Sequence, residues 1–296
     1  MRMLITGSSG MIGSALRSDL SRRGHEAVCL VRRPPADSGE IEWNPADGKL
    51  DPKSIEGFDA VVNLAGENIM GRWTARKKAS ILASRLAPTR LLVQTFAQLN
   101  KPPEVFASAS AIGYYGKPGR QEVTEESPAG DGFLADLCRQ WESAAQAATQ
   151  NHVRVVLLRF GMVLSRNGGG LRQMLTPFEL CLGGRIGDGK QFCSWISITD
   201  TVGAIRHVIE NQDFAGPVNI VSPNPVTNGE FTAALGSVLG RPTFLAQPAW
   251  LTRMIFGELA DELLIPGMRV IPAKLIKSFT FADPQIEASL RRILFR

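Results

Sequence analysis

Three short stretches carry residue types that could do chemistry. The first is the turn from Gly7 through Gly10 to Gly13, glycines at every third position directly after the apolar run "MRMLIT". Glycine admits positive φ and lets backbone N–H groups approach a diphosphate. A helix opening at this turn adds unpartnered donors and the positive end of its dipole. Because the turn follows a strand, opens a helix and begins a βαβ unit, Gly7, Ser9, Gly10, Met11, Ile12 and Gly13 are candidate dinucleotide-binding residues. The second stretch, "VCLVRRPP", ends the next strand. NAD sites place an acid there for the ribose 2′-hydroxyl. Here Arg32 and Arg33 offer cationic forks suited to a 2′-phosphate, which points to NADP(H). The third stretch runs from Ser108 and Ser110 to Tyr114 and Tyr115, the only two tyrosines in the chain. Ser108 and Ser110 share one face of a strand. Whether a phenol there does chemistry or only packs stays open at this point.

These stretches need elements to position them. "MIGSALRSDLSRRG" has apolar residues at helical spacing and stops at Gly24. "EAVCLVRR", "IEWN", "DAVVNLAG", "PEVFASAS" and "RVVLLRFGMVL" read as five further strands, separated later by the long helical patterns of 75–99 and 133–150. Pro88 either starts a new helix or kinks the first. Strands apolar throughout and alternating with helices predict an α/β fold, a doubly wound Rossmann-type parallel sheet. The end of the fourth strand offers Leu64, Ala65 and Gly66, small enough for a cofactor to lie on their backbone. Beyond about residue 165 the rhythm changes to glycine-rich segments and helices. The expected plan is a dinucleotide-binding domain over 1–165, its sheet completed from within 192–222, and a smaller, mostly helical lobe over 166–296. A helix capped near Thr199 and a capping box at Thr227–Glu230 belong to that lobe.

Composition bounds the partners. The net charge of +5 comes from dispersed basic pairs rather than a patch with interleaved aromatics, so no nucleic-acid partner is expected. No apolar run reaches the roughly 18 residues of a membrane span, and the N-terminus enters a strand at once, so a cytoplasmic protein without a membrane partner is expected. Cys29, Cys138, Cys181 and Cys193 form no C-x-x-C pair, and His25, His152 and His207 are scattered, so no metal site is expected.

The motifs resemble the extended short-chain dehydrogenase/reductase superfamily, through Gly7-x-x-Gly10-x-x-Gly13, Asn63-Leu-Ala-Gly66 and the serine-rich strand ending at Tyr115-Gly116. Nearly the whole chain is similar to one atypical subgroup, the "epimerase family" proteins of the NAD-dependent epimerase/dehydratase type. The shared patterns are "NLAGENI" with Arg72-Trp73, "SAIGYYG", Trp141-Glu142, "GGRIGDGKQ", "WISITD" and a C-terminal domain over "GMRVIPAKLIKSFTFADPQIEASL". The resemblance implies an NADP(H)-binding epimerase or oxidoreductase acting on a small hydroxyl or carbonyl compound, or a nucleotide sugar. It places Ser110 at the position of the superfamily's catalytic Ser or Thr.

The superfamily's Tyr-x-x-x-Lys pair is missing. Four residues after Tyr114 stands Pro118, and four after Tyr115 stands Gly119, so no such pair exists in this chain. Catalysis would then rest on Ser110 with Tyr115 or Tyr114 reaching from the loop. Arg159, counted with the cofactor-binding residues, would lower a phenol's pKa or meet a substrate anion. Arg185, Trp195 and Asp200 are the lobe's groups expected nearest the pocket, with Trp195 packing and Asp200 capping a helix. The alternative is a non-catalytic module that senses NADP(H) or binds a partner. The oligomeric state stays open, a homodimer included.

Overall fold

In the computed structural model, which describes residues 1–295, the apolar runs pair into one parallel sheet. Its strands are β1 (Arg2–Thr6), β2 (Glu26–Val31), β3 (Glu40–Glu42), β4 (Ala60–Asn63), β5 (Val105–Ala111), β6 (Arg154–Phe160) and β7 (Gly216–Ile220). Their order is β7-β6-β5-β4-β1-β2-β3, with every pairing parallel. The order reverses between β1 and β4, and a crevice opens beyond the carboxyl ends of strands at such a reversal.

The strands read as unbroken apolar runs because helices cover both faces. Helices α2 (Ala75–Phe96) and α3 (Phe133–Gln146) bury Leu4, Val61, Phe106 and Leu157 on one face. On the other, α1 (Met11–Arg22) and α5 (Ile198–Glu210) bury Ile5, Val62, Ala107 and Leu158. The second lobe has its own core, where α4 (Gly169–Glu179), α6 (Asn228–Leu239) and α8 (Ile286–Phe295) meet around Trp195 and Phe231. A short helix, α7 (Ala249–Phe256), leads into the C-terminal segment. Among the described residues no helix is long and apolar enough to cross a membrane.

The structure departs from the sequence reading at several points. Helix α2 runs through Pro88 unbroken, and next to the lost N–H the Thr89 hydroxyl donates to the Arg85 carbonyl at 2.7 Å. The run "RVVLLRFGMVL" divides at Gly161. Met162–Leu164 leaves the main sheet and pairs with Trp195–Ser197. Of the 192–222 segment, only β7 joins the main sheet. Helix α5 is capped by Ser197, two residues before Thr199: the Ser197 hydroxyl accepts the Asp200 N–H at 2.9 Å. The Asp200 carboxylate instead accepts the N–H groups of Ala282 and Asp283, so it fastens the C-terminal segment rather than its own helix. The capping box of Thr227 and Glu230 forms in both directions.

The lobe also ties back to the sheet domain. Helix α3 starts at Gly132, which has no side chain to cap it; Glu262 of the lobe accepts the Leu134 N–H at 3.3 Å and pairs with Lys117 at 2.8 Å. Glu262→Ala is expected to cost about 1 kcal/mol, the usual worth of a cap, read as a lowered melting temperature. An unchanged melting temperature would contradict the tie.

Candidate active site

At the crevice, Gly7 has φ +64°, and a Cβ there would stand 2.5 Å from the Leu64 carbonyl oxygen. The turns after β1 and β4 therefore touch, which only glycine permits. A Cβ on Gly13 would stand 2.3 Å from the Gly7 carbonyl oxygen, so helix α1 lies closer to its own turn than any side chain allows. Gly10 caps α1 without a side-chain bond, and no acid occupies the first turn. The first N–H groups of α1 are left as donors beside the exposed Ser9 and Gly10, an arrangement that fits a diphosphate. The Met11 and Ile12 side chains pack on the core, and Met11 also meets Gly168 and Gly169 at the start of α4.

The β4 turn is held from below. Thr6 donates to Asn63 at 2.7 Å and accepts the N–H groups of Leu64 and Ala65 at 3.0 and 3.1 Å. Asn63 in turn donates to Thr89 and Ser108. Ser108 is thus a buried strut of the turn rather than a reacting group.

At the end of β2 the two arginines differ. Arg33 is engaged, pairing with Glu40 at 2.7 Å and donating to the Pro34 carbonyl. Arg32 is exposed and makes no ion pair among the described residues. The Ala36 N–H and Arg33 hold the Glu40 carboxyl below its usual range, and Arg17 of α1 adds to the effect. Arg17 is therefore a third cation within electrostatic reach of Glu40. Sequence reasoning missed Arg17, although its place four residues after Gly13 sets it on the same helix face.

At the β5 end the candidates join one buried chain of hydrogen bonds. Ser110 donates to Glu142 Oε1 at 2.6 Å. Arg159 grips the same carboxylate with two nitrogens, Nε and Nη2, each at 2.8 Å. Its Nη1 donates to the Tyr115 hydroxyl at 3.0 Å, and that hydroxyl donates to Asn219 Oδ1 at 2.6 Å. Burial works against the Arg159 charge, but the Glu142 carboxylate outweighs it and holds the guanidinium's pKa above its ordinary value. Burial pushes the Tyr115 phenol up to about 12, against the pull of Arg159 and Asn219.

Two expectations are corrected here. Tyr115 is 3% exposed with its hydroxyl fully engaged, so it is a structural phenol and not a free proton relay. Arg159, also 3% exposed, spends its fork on Glu142 and Tyr115 rather than on a cofactor or substrate anion. Tyr114 is different. It is half-buried, its ring lies 3.5 Å beneath the Arg159 guanidinium carbon, and its hydroxyl makes no hydrogen bond among the described residues. A cavity of about 460 Å³ is lined by Tyr115, Lys117, Gln121, Val123 and the 127–132 loop; no residue of the glycine turn borders it.

Other expected residues fall outside this network. Arg185 is exposed. Trp195 is fully buried and donates to the Asn224 carbonyl, which makes it packing. Glu142 and Asn219 were missed as network members. Glu142 beside the apolar residues of α3 and Arg159 after the apolar run of β6 were the available signal, since buried charges must pair.

The chain was compared with known proteins. The model of the NAD dependent epimerase/dehydratase family matches residues 3–221, and that of a domain of unknown function, DUF1731, matches residues 247–293. The epimerase family protein Mb2239 of Mycobacterium bovis is 47% identical over 272 residues, 92% of this chain and 90% of that protein. The crystal structure of the human epimerase family protein SDR39U1 with NADPH superposes with a TM-score of 0.89 at 36% identity, covering 99% of each chain. The UDP-glucuronic acid 4-epimerase of Bacillus cereus, in complex with NAD, shares the fold at 15% identity, with a TM-score of 0.75 over 99% of this chain and 95% of that one.

Proposed function

The chain belongs to the NAD dependent epimerase/dehydratase family, and from that premise we propose that it is an NADP(H)-dependent epimerase or oxidoreductase working without the Tyr-x-x-x-Lys pair. Its substrate is a small hydroxyl or carbonyl compound or a nucleotide sugar. The observation that carries the reading is the crevice: uncapped N–H donors at Met11–Gly13, with Arg32 exposed and outside any ion pair among the described residues at the end of β2. A bound nicotinamide would supply hydride transfer at a carbinol or carbonyl carbon. The α1 N-terminus and the Leu64–Gly66 backbone would hold the diphosphate, and Arg32, with Arg17 and Arg33, would hold the 2′-phosphate.

The remaining chemistry is proton transfer at the substrate oxygen. Ser110 has given its proton to the hydrogen bond with Glu142, so its oxygen accepts from a substrate hydroxyl. Tyr114 holds the hydroxyl of the site that makes no hydrogen bond among the described residues, with the Arg159 guanidinium over its ring. Tyr114 is thus the candidate acid–base and Ser110 the orienting group.

Arg32→Ala is expected to weaken NADPH about tenfold to a hundredfold and to leave NADH unchanged, the worth of one to two charge-assisted bonds. Equal loss for both cofactors would contradict the assignment. The function itself is tested by following NADPH oxidation against a panel of carbonyl compounds and, by product analysis, nucleotide sugars. Turnover of one class supports an enzyme; silence across the panel with cofactor firmly bound contradicts it.

One observation favours a second reading, a module that senses NADP(H) or binds a partner without turnover. Both Ser110 and Tyr115 are bonded internally. That reading requires NADP⁺ and NADPH to give different protease-digestion patterns; identical patterns remove it.

A further inference from the structure

We propose that the chain pairs with a second copy of itself through the apolar face of helix α7 and the 180–187 loop, an inference independent of the cofactor assignment. Ala249, Trp250, Leu251, Met254, Ile255 and Phe256 make α7 apolar nearly all round, yet only its Thr252 is buried. A helix of that composition belongs against protein on several sides. Leu180, Leu182, Phe244, Trp250, Met254 and Ile255 are each more than half exposed, Phe244 by 79%. The backbone joins the two segments. Phe244 pairs with Gly184 and Gln247 with Ile186, and the Gln247 N–H donates to the Arg185 carbonyl at 2.8 Å. Helix α7 begins two residues after Gln247, so its apolar side chains continue from that ribbon.

Area, charge and location select a second copy as the occupant. The six side chains expose on the order of 800 Å². That exceeds the roughly 300–600 Å² of the largest patch on an ordinary monomer and matches the roughly 800 Å² each partner gives a standard interface. In a two-fold contact the same patch meets itself, so like charges there would oppose one another. The single charge of α7, Arg253, is paired with Asp261 at 2.8 Å, and the six exposed residues carry none. A membrane-surface helix instead has a polar face rich in Lys and Arg, which α7 lacks. Seven of the ten large apolar side chains exposed among the described residues fall within 180–255, and none lies on α2 or α3. The groove between those two helices carries Arg90 and Arg139 instead, so the α7 face is the one suited to self-pairing.

Sedimentation velocity of the full chain from about 1 to about 100 µM is expected to show a dimer that forms within this range. Trp250→Glu combined with Met254→Glu is expected to raise the dimer dissociation constant at least about a hundredfold, since aromatic anchors dominate such contacts. Arg90→Glu, in the α2–α3 groove, is expected to leave it within about threefold. Hydrogen exchange on the wild-type chain carries the test should the double variant not fold. Amides of 180–187 and 244–256 are expected to slow as concentration rises. A monomer across the whole range, a dimer kept by the double variant, or protection confined to α2 and α3 overturns the inference. So does a monomer that co-sediments with phosphatidylcholine–phosphatidylglycerol vesicles, which would make a lipid surface the occupant of this face.

Discussion

Tyr114→Phe is expected to lower turnover about a hundredfold or more, the usual contribution of a positioned acid–base, while Tyr115→Phe keeps it within about threefold. The two residues are neighbours, and the difference lies in their surroundings. Both belong to the 3₁₀ turn Ile112–Tyr115, which sends one ring inward and leaves the other half-buried. Tyr115 ends in a closed pair of hydrogen bonds, and its phenol is raised to about 12. It keeps its proton at neutral pH. Because that value lies above the unfolded one of about 10, its contribution to stability is full below about pH 10 and is lost as pH rises through about 12. Its removal instead shows in folding: Asn219 and Arg159 each lose a buried partner, for about 1–3 kcal/mol. Tyr114 carries no such ties. The measurement is kcat and melting temperature for both variants side by side. Loss of turnover in Tyr115→Phe with Tyr114→Phe active would reverse the assignment.

Glu142→Gln is expected to destabilise the fold by about 3–5 kcal/mol, which lowers the melting temperature by roughly 6–15 °C. Arg159 sits inside the β6–α3 interface with Glu142 as its bidentate counter-ion. Removing the negative charge leaves the guanidinium buried and uncompensated. Ser110 also loses the charged end of its hydrogen bond. Replacing both members, as in Glu142→Gln with Arg159→Met, is expected to recover part of the loss, because the pair repays its own desolvation only partly. A single variant that unfolds within about 1 kcal/mol of wild type would show that the ion pair is not what holds this end of the sheet.

Much of this was legible in the residues. The glycine turn at 7–13, the apolar strands and the helices between them each follow from local pattern, and local pattern is what sets a doubly wound sheet. The capping box at Thr227 and Glu230 is equally local. What was not legible depends on distant partners. Arg159 and Glu142 stand on different elements, so their pairing follows from the packing of α3 on β6 and not from spacing. Asp200 has the look of a helix cap, yet its carboxylate serves a segment some eighty residues on, while the smaller Ser197 caps the helix. Gly161 ends β6 because Met162–Leu164 finds a partner in Trp195–Ser197, which no count of apolar residues reveals.

The most direct measurement is a titration of the purified chain with NADPH and with NADH, followed by nicotinamide fluorescence. A free Arg32 beside Arg17 and Arg33 requires NADPH to bind at least about tenfold more tightly than NADH. Equal affinities, or binding of neither, would contradict an NADP(H) site at this crevice.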